Sequence, residues 1–289
     1  MIKNVHHFGS PFIDIVIKGE AFFEDNSTTT GFFEDRLGGI SNTIELACKL
    51  DVTSHLLVSN DSLDLIKSLT PDSKKIEFHA IPNHEHHRAV IIDSSTRKDR
   101  KSIVSIIKHK IFSFDVKPIL FGSVIISYIE NFPIKIDSLC SHNVTVFADF
   151  NNSIDLSFQT QKFKRLIKNN LMRVNYFLFS DEELHDVEAF IKELNVGKED
   201  FNFLSKVKFI SHNQYGVTFY KIDCTVGSIE LRSMSTVSNN YHLDTVRSFI
   251  GNGDLFLLLF SYYYDDNIPA NETVSKVMEE ISNLIKTTS

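Results

Sequence analysis

Gly251-Asn252-Gly253-Asp254, which runs straight into LFLLLFSYYY, is the stretch of the chain best equipped for chemistry. Two glycines at the mouth of a helix let the backbone approach a ligand closely. The free N–H groups of the first turn and the helix dipole then favour an anion. A carboxylate in that turn, Asp254, can take a proton from an attacking hydroxyl. The N–H groups of Gly251, Asn252 and Gly253 would stabilise charge on a transferring phosphoryl group. The plainer reading of the same four residues is a turn before a helix, with Asp254 merely complementing the dipole.

A second candidate lies near the other end, in Leu37-Gly38-Gly39-Ile40-Ser41-Asn42. Gly38 and Gly39 would let a ligand lie against the backbone, and Asn42 offers both donor and acceptor for hydroxyl recognition. The competing reading is a loop with Ser41 as N-cap. Asp14, after Phe8-Gly9-Ser10, stands near a strand end where it can accept hydrogen bonds from a polyol.

These residues need elements to position them. Short apolar runs at Val5–Phe8, His55–Ser59, Ile119–Ser127, Val144–Ala148, Val174–Phe179 and Val207–Ser211 read as buried strands. Between them lie helical patterns: Ile44, Ala47 and Cys48; Leu184, Val187, Ile191 and Leu194; Val274, Val277, Ile281 and Ile285. Alternating strands and helices predict an α/β fold with a mostly parallel sheet covered on both faces. Phe12–Lys18 and the block Ile76–Ile107 break the alternation and read as strands and hairpins, an appended β-sheet lid. The helix after Asp254 is apolar on nearly every side, which predicts burial.

The order of these motifs resembles the ribokinase-like (PfkB) carbohydrate kinases. Phe8-Gly9 with Asp14 resembles that family's opening strand and sugar-binding Asp. Gly38-Gly39-Ile40-Ser41-Asn42 resembles its GG-x-x-N loop, Asp149-Phe150-Asn151 its D-x-N, and Gly251-Asn252-Gly253-Asp254 its G-A-G-D anion hole and catalytic Asp. The resemblance spans nearly the whole chain. It implies one three-layer α/β/α doubly wound domain over residues 1–289, with lid strands from about 12–35 and 76–107. It further implies ATP as donor, Mg²⁺ as helper, a sugar or nucleoside as acceptor, and dimers through the lid. Asp14, Gly38, Gly39, Asn42 and Asn151 would then hold the acceptor.

On the donor side the match changes. Ser180-Asp181-Glu182-Glu183 stands where the family has N-x-x-E, so Glu183 would act on phosphate and Mg²⁺ through water; Ser180-x-x-Glu183 is equally a helix capping box. Ser211, Asn213 and Gly216 fall in the segment that borders the nucleotide, with Asn213 in place of a glycine. Ser248-Phe249-Ile250 lacks the Asp-Thr that the family often uses around a potassium-type ion, and Asp244-Thr245 is too early. These departures keep open a second reading, a sugar-binding homologue that has lost turnover.

Composition removes other classes. The chain has 289 residues, a formal net charge of -7 and a pI near 5.9, so its surface repels nucleic-acid backbones. Cys48, Cys140 and Cys224 are too few and too scattered for a disulfide framework or zinc motif. MIKNVHHFGS lacks an apolar signal core, and no apolar run is long enough for a membrane span, so a cytoplasmic protein is expected. His79, His84, His86 and His87 read as a polar lid turn, not a metal site. Arg97, Lys98, Arg100 and Lys101 read as a solvated hairpin tip, with contact to a phosphate as the functional option. One of His6 and His7 is expected to be buried and hydrogen-bonded.

Overall fold

A computed structural model describes residues 3–18, 32–81, 88–93, 100–104, 111–112, 117–151, 156–213, 215–225, 228–238 and 252–288. Its framework is a nine-stranded sheet. In chain order the strands of this sheet and of a smaller one are β1 (Val5–Gly9), β2 (Pro11–Lys18), β3 (Phe32–Gly39), β4 (Thr53–Ser59), β5 (Ile76–Ile81), β6 (Arg88–Asp93), β7 (Arg100–Val104), β8 (Ser123–Ile126), β9 (Thr145–Asp149), β10 (Tyr176–Ser180), β11 (Lys208–Asn213), β12 (Gly216–Thr225) and β13 (Ser228–Ser238). The large sheet has the order β13-β12-β11-β10-β9-β8-β1-β4-β5. It is parallel from β11 to β5, and the hairpin β12–β13 adds antiparallel pairs at one edge.

The helices are α1 (Ile44–Lys49), α2 (Leu63–Leu69), α3 (Gln161–Leu171), α4 (Leu184–Glu193), α5 (Lys198–Leu204), α6 (Asn252–Tyr263) and α7 (Ala270–Thr288). They cover both faces, as expected for a sheet whose strands alternate between two buried sides. Val124, Ile126, Phe177 and Phe179 pack with Phe163 and Ile167 of α3 and Val187 and Ile191 of α4. Their strand neighbours Ile125, Tyr176 and Leu178 face the other way, onto Phe256–Phe260 of α6 and Val274, Val277 and Ile281 of α7. From Phe256 to Phe260 no residue of α6 is more than 2% exposed, in accord with its all-round apolar sequence. Among the described residues no helix is long and apolar enough to cross a membrane.

The smaller sheet, β3-β2-β6-β7, is the appended sheet expected from the sequence, and it is mixed: β2 pairs antiparallel with β3 and parallel with β6. One boundary differs from expectation. Ile76–Ile81 lies parallel to β4 in the large sheet, and the small sheet resumes only at Arg88. A half-buried six-residue alternation suits either sheet, and its partner is fixed by long-range pairing. The hairpin β12–β13 was absent from the sequence expectation; it buries few apolar residues, among them Val217, Ile222 and Leu231. His84, His86, His87, Arg97 and Lys98 lie outside the described residues, as do Asp244, Thr245, Ser248–Ile250 and Gly251.

Candidate active site

The chain proceeds from β1 outward to β4 and β5, then returns to β8 and proceeds the other way through β9, β10 and β11. The order therefore reverses between β1 and β8, and the carboxyl ends of strands flanking such a switch point form a crevice. Gly9 closes β1 there: a Cβ on it would stand 3.0 Å from Ser127 Cβ and 3.2 Å from Ile40 Cβ. Three segments converge at this place. They are the turn after β8, the turn into α1 and the start of α6.

Asp254 is the meeting point. It sits in the first turn of α6 and is 6% exposed. Asn42 Nδ2 donates to its Oδ2 at 2.9 Å, across 212 residues of chain. The Tyr128 hydroxyl donates to its Oδ1 at 3.0 Å. The backbone N–H of Tyr128 donates to Asp149 Oδ1. Tyr128 thus joins two carboxyl groups, and it does so from a left-handed backbone, φ 60° and ψ 68°, that a bulky residue seldom adopts. Burial first, then the negative charges of Asp254 and Asp149, push the Tyr128 hydroxyl well above its ordinary pKa, so it remains a donor. Burial and the repulsion of Asp254 also push the Asp149 carboxyl well above the usual carboxylate range, with the Tyr128 N–H opposing.

Gly39 shapes the wall beside them. Its φ is +62°, and a Cβ there would lie 2.8 Å from Ser10 O, 3.3 Å from Phe12 Cδ1 and 3.4 Å from Tyr128 Cε2. The rings of Phe12 and Tyr128 lean together at 5.2 Å between centroids. The glycine is therefore required by backbone sign and by crowding at once. Gly38 is buried one residue earlier, opposite Phe12 on β2. Asp14 lies on β2 in register with Arg36 and Ala89, within the small sheet.

On the donor side the sequence alternatives resolve in favour of local bonds. Ser180 and Glu183 form the capping box, with the Ser180 N–H donating to Glu183 Oε2 at 2.8 Å. Burial raises the Glu183 pKa, against the opposing Ser180 bonds. Ser211 Oγ and Asn213 Nδ2 both donate to Asp181. Asn213 Oδ1 accepts from the N–H groups of Tyr215, at 2.6 Å, and Gly216, at 2.9 Å. Gly216 has φ +154°, and a Cβ on it would stand 2.3 Å from Val237 O, so its demand comes from the β12–β13 hairpin. Asn151 is exposed, and its backbone N–H donates to Glu130 Oε1 at 3.2 Å.

Gly253, in the first turn of α6, faces His212: a Cβ would lie 3.3 Å from His212 Cε1. The imidazole rests against Phe256, 5.3 Å between ring centroids. Burial lowers its pKa to about 4, with the Asp181 carboxylate opposing, so a neutral ring flanks the start of the helix.

The structure thus brings Asp254, Asn42, Gly39 and Gly253 into one neighbourhood, with Ser180, Glu183, Ser211 and Asn213 at the ends of β10 and β11. Tyr128, Asp149, Glu130 and His212 are members that sequence reasoning left unassigned. Asp149 stood inside the D-x-N motif, and His212 between Ser211 and Asn213. Tyr128 carries no local signal, because only the β8 turn brings it to Asp254.

No family model matches the sequence, and no curated protein matches it either. Solved structures do match, along nearly the whole chain. A ribokinase from Arabidopsis thaliana complexed with ribose and ATP has a TM-score of 0.62 at 13% identity, covering 99% of this chain and 93% of that one. A ribokinase from Cryptococcus neoformans in complex with ADP gives 0.58 at 12% identity, covering 98% and 94%. A nucleoside kinase from Burkholderia thailandensis in complex with inosine gives 0.55 at 12% identity, covering 97% and 90%. The chain has the ribokinase-like fold.

Proposed function

We propose that this protein is a kinase that transfers the γ-phosphate of ATP to a hydroxyl of a sugar or nucleoside, with Asp254 as general base. The observation that carries this reading is the pair of donors on Asp254, Asn42 and Tyr128, each bonded to a different carboxylate oxygen. Two fixed donors orient the group and stabilise its charged form. The fold shared with ribokinases and nucleoside kinases supports phosphoryl transfer of this kind.

In this reading the acceptor lies between the small sheet and the switch point, against Gly38, Gly39 and the Phe12–Tyr128 wall, with Asp14, Asn42 and Asn151 as its polar contacts. Asp254 takes the hydroxyl proton as the oxygen attacks phosphorus. The N–H groups of Gly251, Asn252 and Gly253 would receive the charge that develops on the transferring group. His212, neutral and close to Gly253, adds no charge of its own to that anion site. ATP would lie toward Ser180, Ser211, Asn213 and Gly216. Mg²⁺ fits through the Glu183 carboxyl, whose lone pairs exceed the bonds that Ser180 makes to it; the ion keeps most of its waters and would neutralise phosphate charge.

A second reading, a sugar-binding protein without turnover, draws on the donor side. There Ser211 and Asn213 are committed to Asp181, and Ser180 to Glu183. A thermal-shift screen of sugars, sugar phosphates and nucleosides, each with and without ATP–Mg²⁺, separates the two. Stabilisation by one acceptor and by the nucleotide supports the kinase. Stabilisation by an acceptor alone supports the binding protein and counts against the kinase.

A further inference from the structure

Away from the switch point, β1, β4 and β5 carry a row of histidines on one face of the large sheet. His6 Nδ1 lies 2.9 Å from His55 Nε2, and His55 Nδ1 lies 3.0 Å from His79 Nε2. The ring planes differ by only 24° and 22° along the row. Glu77, paired with His55 in the β4–β5 register, brings Oε2 to 3.2 Å from His55 Nδ1 and 3.8 Å from His79 Nε2.

The proton positions follow from one end of this chain. Asn4 Nδ2 donates to the Phe121 carbonyl at 2.8 Å, which fixes the amide with its Oδ1 toward His6 Nε2, 3.1 Å away. A carbonyl oxygen only accepts, so His6 Nε2 carries hydrogen and His6 Nδ1 is the acceptor. His55 Nε2–H donates to it. A His55 that donates from Nε2 accepts at Nδ1, and the Nε2–H of His79, 3.0 Å away, can supply that proton. Glu77 Oε2 lies close to both of these nitrogens, so a cation that displaced this one proton would meet three mutually close ligand atoms.

We propose that His55 Nδ1, His79 Nε2 and Glu77 Oε2 bind a divalent transition-metal ion of the zinc class, with His6 and Asn4 as the outer row that holds His55. Zinc ligands at about 2.0–2.1 Å in a tetrahedral array stand about 3.3–3.4 Å apart, and the separations here, 3.0, 3.2 and 3.8 Å, bracket that edge. Two imidazoles and one carboxylate suit zinc, whereas magnesium prefers oxygen ligands alone. A ligating histidine that donates its other N–H to a fixed acceptor is the usual outer-shell arrangement, and His55 has it. The ring is also held flat against Phe8, 4.1 Å between centroids and 4° between planes. Only 3% of the His55 side chain is exposed, against 52% for Glu77, so the fourth position opens to solvent.

The ion would clip the edge strand β5 to β4 and, through His55 and His6, to β1. His6 is three residues short of the carboxyl end of β1 at Gly9, about 10 Å along the strand, so the site is separate from Asp254. The role inferred is structural.

The test uses the full chain with His84, His86 and His87 changed to Gln, to remove adventitious binding by that histidine-rich run. After chelation, Co²⁺ should bind with one equivalent and give the visible bands of a four-coordinate ion, and Zn²⁺ at about 100 times its dissociation constant should raise the melting temperature by about 5 °C. His79→Gln with Glu77→Gln, both partly exposed positions, should abolish the bands and the shift while the apo melting temperature stays close to that of the parent. Co²⁺ bands and a Zn²⁺ shift that persist unchanged in that double variant, or no bound equivalent in the parent, would overturn the proposal.

Discussion

At the scale of single residues, the proposed chemistry rests on Asp254, Asn42 and Tyr128, and the roles proposed for them separate under substitution. Tyr128→Phe keeps the ring against Phe12 and Gly39 and removes only the bond to Asp254. A hydrogen bond to a charged group contributes about 1.5–3 kcal/mol, so kcat should fall about 10- to 100-fold. The KM for ATP should not move, because Tyr128 is on the acceptor side; steady-state kinetics read both. An unchanged kcat would remove Tyr128 from the positioning of the base. At this scale the sequence was informative where a motif is local: Asp254, Gly39 and the capping box at Ser180 all stand where their neighbours announce them. It was silent on Tyr128, whose partner is 126 residues away. It also pointed to Asn151 in a motif whose first residue, Asp149, makes the contact with Tyr128.

Elements place these residues, and the turn from β3 toward α1 tolerates little change. Gly39→Ala puts a Cβ 2.8 Å from Ser10 O on a backbone with φ +62°. The strained conformation alone costs about 1–3 kcal/mol, and chemical denaturation should show a loss of at least that size. Acceptor affinity should weaken more than nucleotide affinity, since Ser10, Phe12 and Tyr128 are displaced together. Full stability in the alanine variant would mean that the turn relaxes and that the glycine serves something other than packing. The elements themselves were legible wherever they bury a full apolar run, as at β8, β9, β10 and α6. The hairpin β12–β13 escaped because the described side chains of β13 are nearly all exposed and form no apolar run, and β5 was assigned to the lid because a short alternation does not name its partner.

At the scale of the whole molecule, the reversal of strand order sets the site, and buried histidines set part of the pH response. His7 is fully buried, its Nε2 is 2.7 Å from Ser127 Oγ, and its Nδ1 has no hydrogen-bond partner among the described residues. Burial lowers its pKa to about 3, below the ordinary 6.5. The unfolded chain therefore binds the proton more readily, so stability is fully present above pH 6.5 and declines as pH falls from there toward 3. The slope approaches about 1.4 kcal/mol per pH unit for one such histidine. Urea unfolding at pH 7 and pH 5 should show the loss, and His7→Gln should lessen it. An identical pH dependence in wild type and variant would contradict the assignment. The three-layer architecture was readable from the alternation of patterns, since both faces of a parallel sheet must be covered. The convergence of Tyr128, Asn42 and Asp254, and the row His6-His55-His79, were not, because strand order alone brings them together.

The most direct test of the central claim is transfer of labelled γ-phosphate from ATP to a panel of sugars and nucleosides, comparing wild type with Asp254→Asn. Wild-type protein is expected to give a phosphorylated product, and the variant a loss of about three orders of magnitude or more in kcat, with its ligand-induced melting shifts intact. Turnover that survives Asp254→Asn, or wild-type protein that binds acceptor and ATP yet transfers nothing, would contradict that claim.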